Sequence, residues 1–217
     1  LSDAPEALSD ELLLTAIEAR VLGCLVEKEA TTPEQYPLTE NSVLLACNQK
    51  TSRDPVMELS AGEVGHALRR MEERRLLRSV HGSRAQRYEH RLADAYAVTR
   101  AQQALLALLL LRGPQTAPEL LQRCERVQRF ADLDELLHTL ERLAQRSPAL
   151  VVRVPRSGGQ REDRFMHLLC GAVDVEALRE QAAGSPRASL PGRDELLERI
   201  SALEARIDLL EQRLRHD

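Results

Sequence analysis

The 217-residue chain contains three Tyr, two Phe and no Trp, and carries a formal charge of −4. Its apolar side chains are therefore mostly Leu, Val and Ala, which favours packed helices over a β-sandwich, and the length allows one large domain or two small ones. Cys24, Cys47, Cys124 and Cys170 lie far apart with no C-x-x-C pair and no cluster of His, which excludes a disulfide framework and reads as small buried residues of a reducing, cytoplasmic protein.

The net charge conceals a division along the chain. Residues 1–13 form an acidic leader with four acids and no base, and residues 171–217 hold ten acids and seven bases. Residues 14–170 hold 23 bases against 20 acids, a mildly basic body that permits contact with nucleic acid. No secretory signal is visible. The apolar run Ala104 to Leu111 is eight residues long, far short of a membrane span, and reads as a core helix.

In chain order, Thr15-x-x-Glu18 is a capping box, in which each side chain satisfies an orphan N–H at the helix start. It opens a helix with Ile17, Val21 and Leu25 on one face. A middle helix is expected to begin near Asn41. Ser60-x-x-Glu63 opens a third, with Val64, Leu68 and Met71 inward, and Leu76 to Val80 and Ala85 to Glu89 read as two strands about the turn His81-Gly82-Ser83. The order then recurs. Thr99-x-x-Gln102 opens a Leu-rich helix, Pro118 after Thr116-Ala117 starts a middle one, and Asp132-x-x-Glu135 opens a third with Leu133, Leu136, Leu137 and Leu140 inward. Leu150 to Val154 and Asp163 to Met166 form the second hairpin, about Ser157-Gly158-Gly159. Both stretches close alike, on Arg87-Tyr88-Glu89-His90 and on Arg164-Phe165-Met166-His167, 77 residues apart.

Three helices followed by a hairpin is the order of the winged helix-turn-helix, and its recurrence predicts two tandem copies. The expected organisation is mainly α with small β-hairpin wings: a first winged-helix domain over 14–92, a second over 93–170, a short helix and flexible linker over 171–193, and a coiled-coil helix over 194–217. In the last segment Ile200, Ile207 and Leu214 fall at one heptad position and Leu196, Leu203 and Leu210 at the other, a pattern that favours a parallel homodimer.

The stretch "TTPEQYPLTENSVLLACNQKTSRDPVMELS" carries twelve residues that the second copy lacks. With Glu27 to Ser60, and the later "YEHRL" and "RGPQTAPEL", the chain over roughly 14–170 resembles the YceH family of uncharacterised bacterial proteins. The resemblance implies tandem winged helices and little about activity.

No catalytic or metal constellation emerges, so neither an enzyme nor a cofactor is expected. Cys47 follows Leu44, Leu45 and Ala46 and reads as a packed thiol. Glu27-Lys28-Glu29 reads as a solvated helix end. His90 and His167, at matching positions, are expected to share one structural task. The aromatics are too dispersed for single-strand stacking, so a nucleic-acid partner would be duplex. "NQKTSRDPVMELS", residues 48–60, has no glycine and is no P-loop. It is either a structural turn joining two helices or a donor of Lys50, Ser52 and Arg53 to phosphates. On a helical wheel the third helix of the first copy turns Gly62, His66, Arg69, Arg70 and Glu73 outward, and that of the second turns Asp134, His138, Glu141, Arg142 and Gln145 outward. The first face is basic and the second acidic at its centre. The resulting expectation is duplex DNA bound by the first copy, through Lys50, Ser52, Arg53, His66, Arg69, Arg70, Arg84 and Arg87. The alternative is a protein-interaction or scaffold module that binds no DNA. A small-molecule effector is not readable from the sequence.

Overall fold

The computed structural model describes residues 8–81, 85–156 and 161–184. Residues 1–7 of the leader, Arg84, the tips of both hairpins, the linker from 185 and the heptad residues Leu196, Ile200, Leu203, Ile207, Leu210 and Leu214 lie outside them. The protein is mainly helical, with two small antiparallel sheets of three strands each.

The first half runs α1 (Ala16–Thr31), β1 (Leu38–Thr39), α2 (Glu40–Cys47), α3 (Ala61–Glu73), β2 (Leu77–His81), β3 (Gln86–His90) and α4 (Leu92–Tyr96). The second runs α5 (Arg100–Arg112), β4 (Gln115–Thr116), α6 (Ala117–Cys124), α7 (Leu133–Ala144), β5 (Val151–Val154) and β6 (Arg164–His167), and α8 (Val175–Gly184) follows. The expected capping boxes form: Thr15 with Glu18, Ser60 with Glu63 and Thr99 with Gln102 each exchange side-chain and backbone hydrogen bonds. Thr39 and Thr116 cap the two middle helices, which are eight residues long in both halves.

The hairpins are not two-stranded as expected. Leu38–Thr39 pairs with β3 and Gln115–Thr116 with β6, giving strand orders β1-β3-β2 and β4-β6-β5. The two added residues cover a hairpin edge whose N–H and C=O groups would otherwise be open. Strands of two residues carry no alternation, which is why the pattern did not disclose them. Arg87 and Arg164 fix these additions in the same way, donating from Nη1 to the carbonyls of Pro37 (2.8 Å) and Pro114 (3.0 Å) just before each short strand.

Buried apolar side chains of both halves belong to one core cluster, and the principal junction is α1 against α5. The close crossing depends on Gly23, since a Cβ there would stand 2.9 Å from Leu111 Cγ. Residues 12–14 bind both halves together. Leu13 O accepts from Arg74, Leu12 O accepts from Tyr96, and Leu14 N donates to Leu169 O at 2.7 Å. The described residues up to Glu180 group as one compact unit.

Candidate nucleic-acid interface

The face of α3 forms as the wheel predicts. Val64, Leu68 and Met71 are buried, while Gly62, His66, Arg69, Arg70 and Glu73 are exposed. Ala61 and Gly62 keep the exposed N-terminal half of this helix slim, and Glu40 at the start of α2 fills the space over the buried Gly65, with Oε1 2.8 Å from where a Cβ would lie. Arg69 Nη1 is 3.5 Å from that same point, so the Arg69 guanidinium and the Glu40 carboxylate share the groove between α2 and α3. On α7 and its C-cap the residues Asp134, His138, Glu141, Arg142 and Gln145 are likewise exposed, and Glu141 lies 3.7 Å from His138. The charge contrast between the two faces is therefore a contrast of solvent-facing side chains.

The loop from 48 to 60 departs from the phosphate-donor reading. Arg53, expected to reach phosphate, has a side chain with no exposed surface. Nη2 donates to Glu27 Oε2 at 2.6 Å and to Gln49 Oε1 at 2.9 Å, and Nη1 to Glu27 Oε1 at 3.1 Å and to the Ser52 carbonyl at 2.8 Å. Nε donates to the Ala46 carbonyl at 3.1 Å. Every N–H of the guanidinium side chain is thus directed inward. Glu27, expected to be solvated, is the half-buried partner that makes this possible, with 16% of its side chain exposed. Arg20, also buried, donates to the carbonyls of Cys47 (3.2 Å) and Pro55 (2.6 Å). Asn48 closes the loop on itself, donating to Leu59 O and accepting from Leu59 N at 2.8 Å each. Asp54 N reaches Leu111 O of α5 at 2.9 Å. The loop is an anchored strap between helices, and only Lys50 and the Ser52 side chain face solvent among the three donors proposed on it. Arg20 was legible as an anomaly: a charged residue set between Ala19 and Val21 in an apolar stretch.

Arg87 is exposed but its Nη1 is engaged by Pro37, so it is first a brace of the sheet. In the second half Arg153 Nε donates to Asp163 at 2.6 Å and the Arg156 backbone N–H to the same carboxylate at 2.9 Å.

Cys47 and Cys24 are both fully buried, and the neighbouring Cys24 thiol together with burial pushes the Cys47 thiol well up. Among the described residues no group of three His, Cys, Asp or Glu is placed to hold a metal ion, and no helix is long and apolar enough to cross a membrane.

The paired histidines do different things, contrary to expectation. His90 accepts from Leu92 N at Nδ1 and meets Glu29 at 3.0 Å through Nε2, whereas His167 is buried with Nδ1 unpartnered. Burial depresses His167 to about 4. Because the folded value lies below the ordinary unfolded value of about 6.5, the unfolded chain binds more protons between the two, and stability is lost as pH falls through that window. The loss should reach roughly 3 kcal/mol at about 1.4 kcal/mol per pH unit. Urea midpoints measured from pH 7 to pH 4 should fall less steeply for His167→Leu than for the parent. Equal slopes would show that His167 does not carry the acid sensitivity.

This geometry defines a small mainly helical protein with two three-stranded antiparallel sheets, an anchored inter-helix strap and an exposed basic helix face. Residues 14–160 match the family described as "Protein of unknown function, DUF480". The chain is 57% identical over 209 residues to a UPF0502 protein of Stenotrophomonas maltophilia, covering 94% of each chain. It is 52% identical over 207 residues to a UPF0502 protein of Mesorhizobium japonicum, covering 94% of this chain and 99% of the relative. A UPF0502 protein of Xanthomonas campestris is 52% identical over 219 residues, with 94% and 97% covered. The chain belongs to the DUF480/UPF0502 family of bacterial proteins, in keeping with the YceH-like resemblance of its sequence.

Proposed function

We propose that the two halves are tandem winged helices and that the protein binds duplex DNA through α3 of the first, as a dimer formed by residues 194–217. The observation that carries this reading is the exposed face of α3, where His66, Arg69 and Arg70 stand beside a slim N-terminal half that can approach base edges in a major groove. Lys50 and Ser52 on the strap, Arg87 and Arg84 at the hairpin would meet phosphates. Arg53 has no part in it. Dimerisation would present two such helices to two half-sites.

Binding of a mixed-sequence duplex, followed by fluorescence anisotropy, should be strong at about 50 mM salt and largely lost at about 200 mM. Arg69→Ala should cost about 1–3 kcal/mol and relax sequence preference if its contact to guanine is bidentate. Lys50→Ala should weaken all duplexes alike and lower the salt slope by about one ion. Arg142→Ala on α7 should change little, and deleting 194–217 should weaken both dimerisation and duplex binding. No duplex affinity at low salt, or an Arg142 effect equal to that of Arg69, would overturn the assignment.

A second reading, docking of a protein partner, is favoured by one feature. Leu45 on α2 and Val56 on the strap are 64% and 52% exposed, two large apolar side chains that a protein partner would cover.

A further inference from the structure

The two halves also differ where α6, α7 and the second sheet meet. There a cavity of about 440 Å³ opens, within the usual size of small-molecule sites. Its apolar wall is Ala117, Pro118, Leu133, Leu137 and Phe165. At the matching places in the first half stand Glu40, Asn41, Ala61, Gly65 and Tyr88, by the offsets of 77 residues for the middle helix and sheet and 72 for the third helix. Five positions that are polar or small in one half have thus become larger or more apolar in the other, or lost their polar atoms. The change is not explained by core packing alone, because Leu133 and Leu137 are only partly buried and Pro118 is exposed.

The rim is ionic and unequal. Arg153, Arg156 and Arg161 face Glu162 and Asp163. Asp163 is occupied: it accepts from the Arg153 guanidinium and from the Arg156 backbone N–H, and these bonds hold its carboxyl below the usual range, the Arg156 N–H most of all. Arg156 Nη1 is oriented by the Arg161 carbonyl at 3.1 Å. An apolar wall beneath a rim with more guanidinium than free carboxylate suits a molecule with an apolar body and one anionic head. The body would displace water from the leucines and Phe165, and the head would take charge-assisted hydrogen bonds from the arginines.

We propose that this cavity is a binding site for amphipathic organic anions, a medium-chain carboxylate or an aryl acid being the class it fits. The proposal is independent of DNA binding by the first half, and concerns the second half alone.

Three probes separate its parts in calorimetric titrations of the full chain. Dodecanoate should bind, dodecanol should bind at least about tenfold more weakly for want of one charge-assisted contact worth about 1.4 kcal/mol, and acetate should not bind measurably. Leu137→Glu, which sets a carboxylate in the apolar wall at a half-buried helix position, should abolish dodecanoate binding. Ala61→Glu, a like change at the exposed α3 position that matches Leu133, should leave it intact. Should Leu137→Glu fail to fold, as judged by circular dichroism, Arg156→Glu at the exposed rim serves instead. It should weaken dodecanoate by about tenfold while leaving dodecanol unchanged. Equal binding of dodecanol and dodecanoate, or dodecanoate affinity unaltered by the Leu137 or Arg156 change, would overturn the proposal, as would no binding of dodecanoate at all.

Discussion

Arg53→Ala should destabilise the protein by about 3 kcal/mol, the lower end of the cost of removing one partner from a buried ion pair, because Glu27 keeps 16% of its side chain exposed and Lys28 stands 3.8 Å from it. The guanidinium makes five hydrogen bonds, two of them to the carboxylate of Glu27. Truncation strands that carboxylate, the Ala46 carbonyl and Gln49 in a site from which the replaced side chain had excluded water. Against a total stability of about 5–15 kcal/mol the loss is large, and urea unfolding should show it as a lowered midpoint. Arg53→Lys should recover little, because an ammonium has three donors and no planar fork. Glu27→Leu combined with Arg53→Met should be less destabilised than Arg53→Ala, since removing both charges leaves neither unpaired. A midpoint for Arg53→Ala within about 0.5 kcal/mol of the parent, as for an ordinary surface change, would return Arg53 to the surface role that its sequence context suggested.

That residue shows where sequence reading stops. Helix starts were legible because a capping box is local: Thr15 and Glu18, or Ser60 and Glu63, lie three residues apart and define the turn between them. The inward and outward faces of α3 and α7 were legible because one period fixes both. Arg53 and Glu27 are 26 residues apart, and nothing local distinguishes an arginine that will fold back onto α1 from one that will meet solvent. In a loop rich in Lys, Ser and Arg the polar surroundings favoured the wrong choice. The same limit applies to Leu38–Thr39, whose strand exists only through its partner β3, and to His90 and His167. Those two share a position in matched sheets, but one faces Glu29 and the other an apolar interior. The cavity beside α7 was hidden for the converse reason: Leu133 and Leu137 read as inward core residues, and only the packed structure leaves them partly bare.

The inward turn of Arg53 bears on duplex binding as well. With Arg53 withdrawn and Arg87 holding Pro37 through one of its nitrogens, the first half offers fewer phosphate contacts than its composition promised, so its affinity should lean more on α3. The strap now has a different part in that proposal. By joining Arg20, Asn48 and Arg53 to the end of α2 and the approach to α3, it fixes the position of the exposed helix relative to α1. Loss of duplex binding in an Arg53 variant would therefore follow loss of folding, and the two can be told apart by comparing denaturant midpoints with binding measured well below them.

Gly23→Val should cost about 3 kcal/mol, the upper part of the range for overpacking a well-filled core. Gly23 lies on α1 where that helix crosses α5, and an added Cβ would meet Leu111 Cγ at 2.9 Å, Leu111 Cδ2 at 3.0 Å and Leu110 Cβ at 3.2 Å. The nearest obstructing atom is the branching Cγ of Leu111, a fully buried side chain. Gly23→Ala sets two effects against each other: helix propensity gains about 1 kcal/mol, while overpacking costs about 1–3 kcal/mol, so a small net loss is expected. Shortening the opposing side chain should reverse the sign. In the double variant Gly23→Ala with Leu111→Ala, the new methyl occupies part of the space that Leu111→Ala alone would leave empty. The pair should then be more stable than the sum of the single changes by more than the 0.3–0.5 kcal/mol or so within which independent sites add. Additivity within that margin would mean that α1 and α5 can separate without penalty. Since the buried residues of both halves form one cluster through this crossing, its failure should also be felt on both sides. Thermal unfolding of Gly23→Val should remain a single transition at a lower temperature, and resolution into two transitions would instead show the halves to be independently stable.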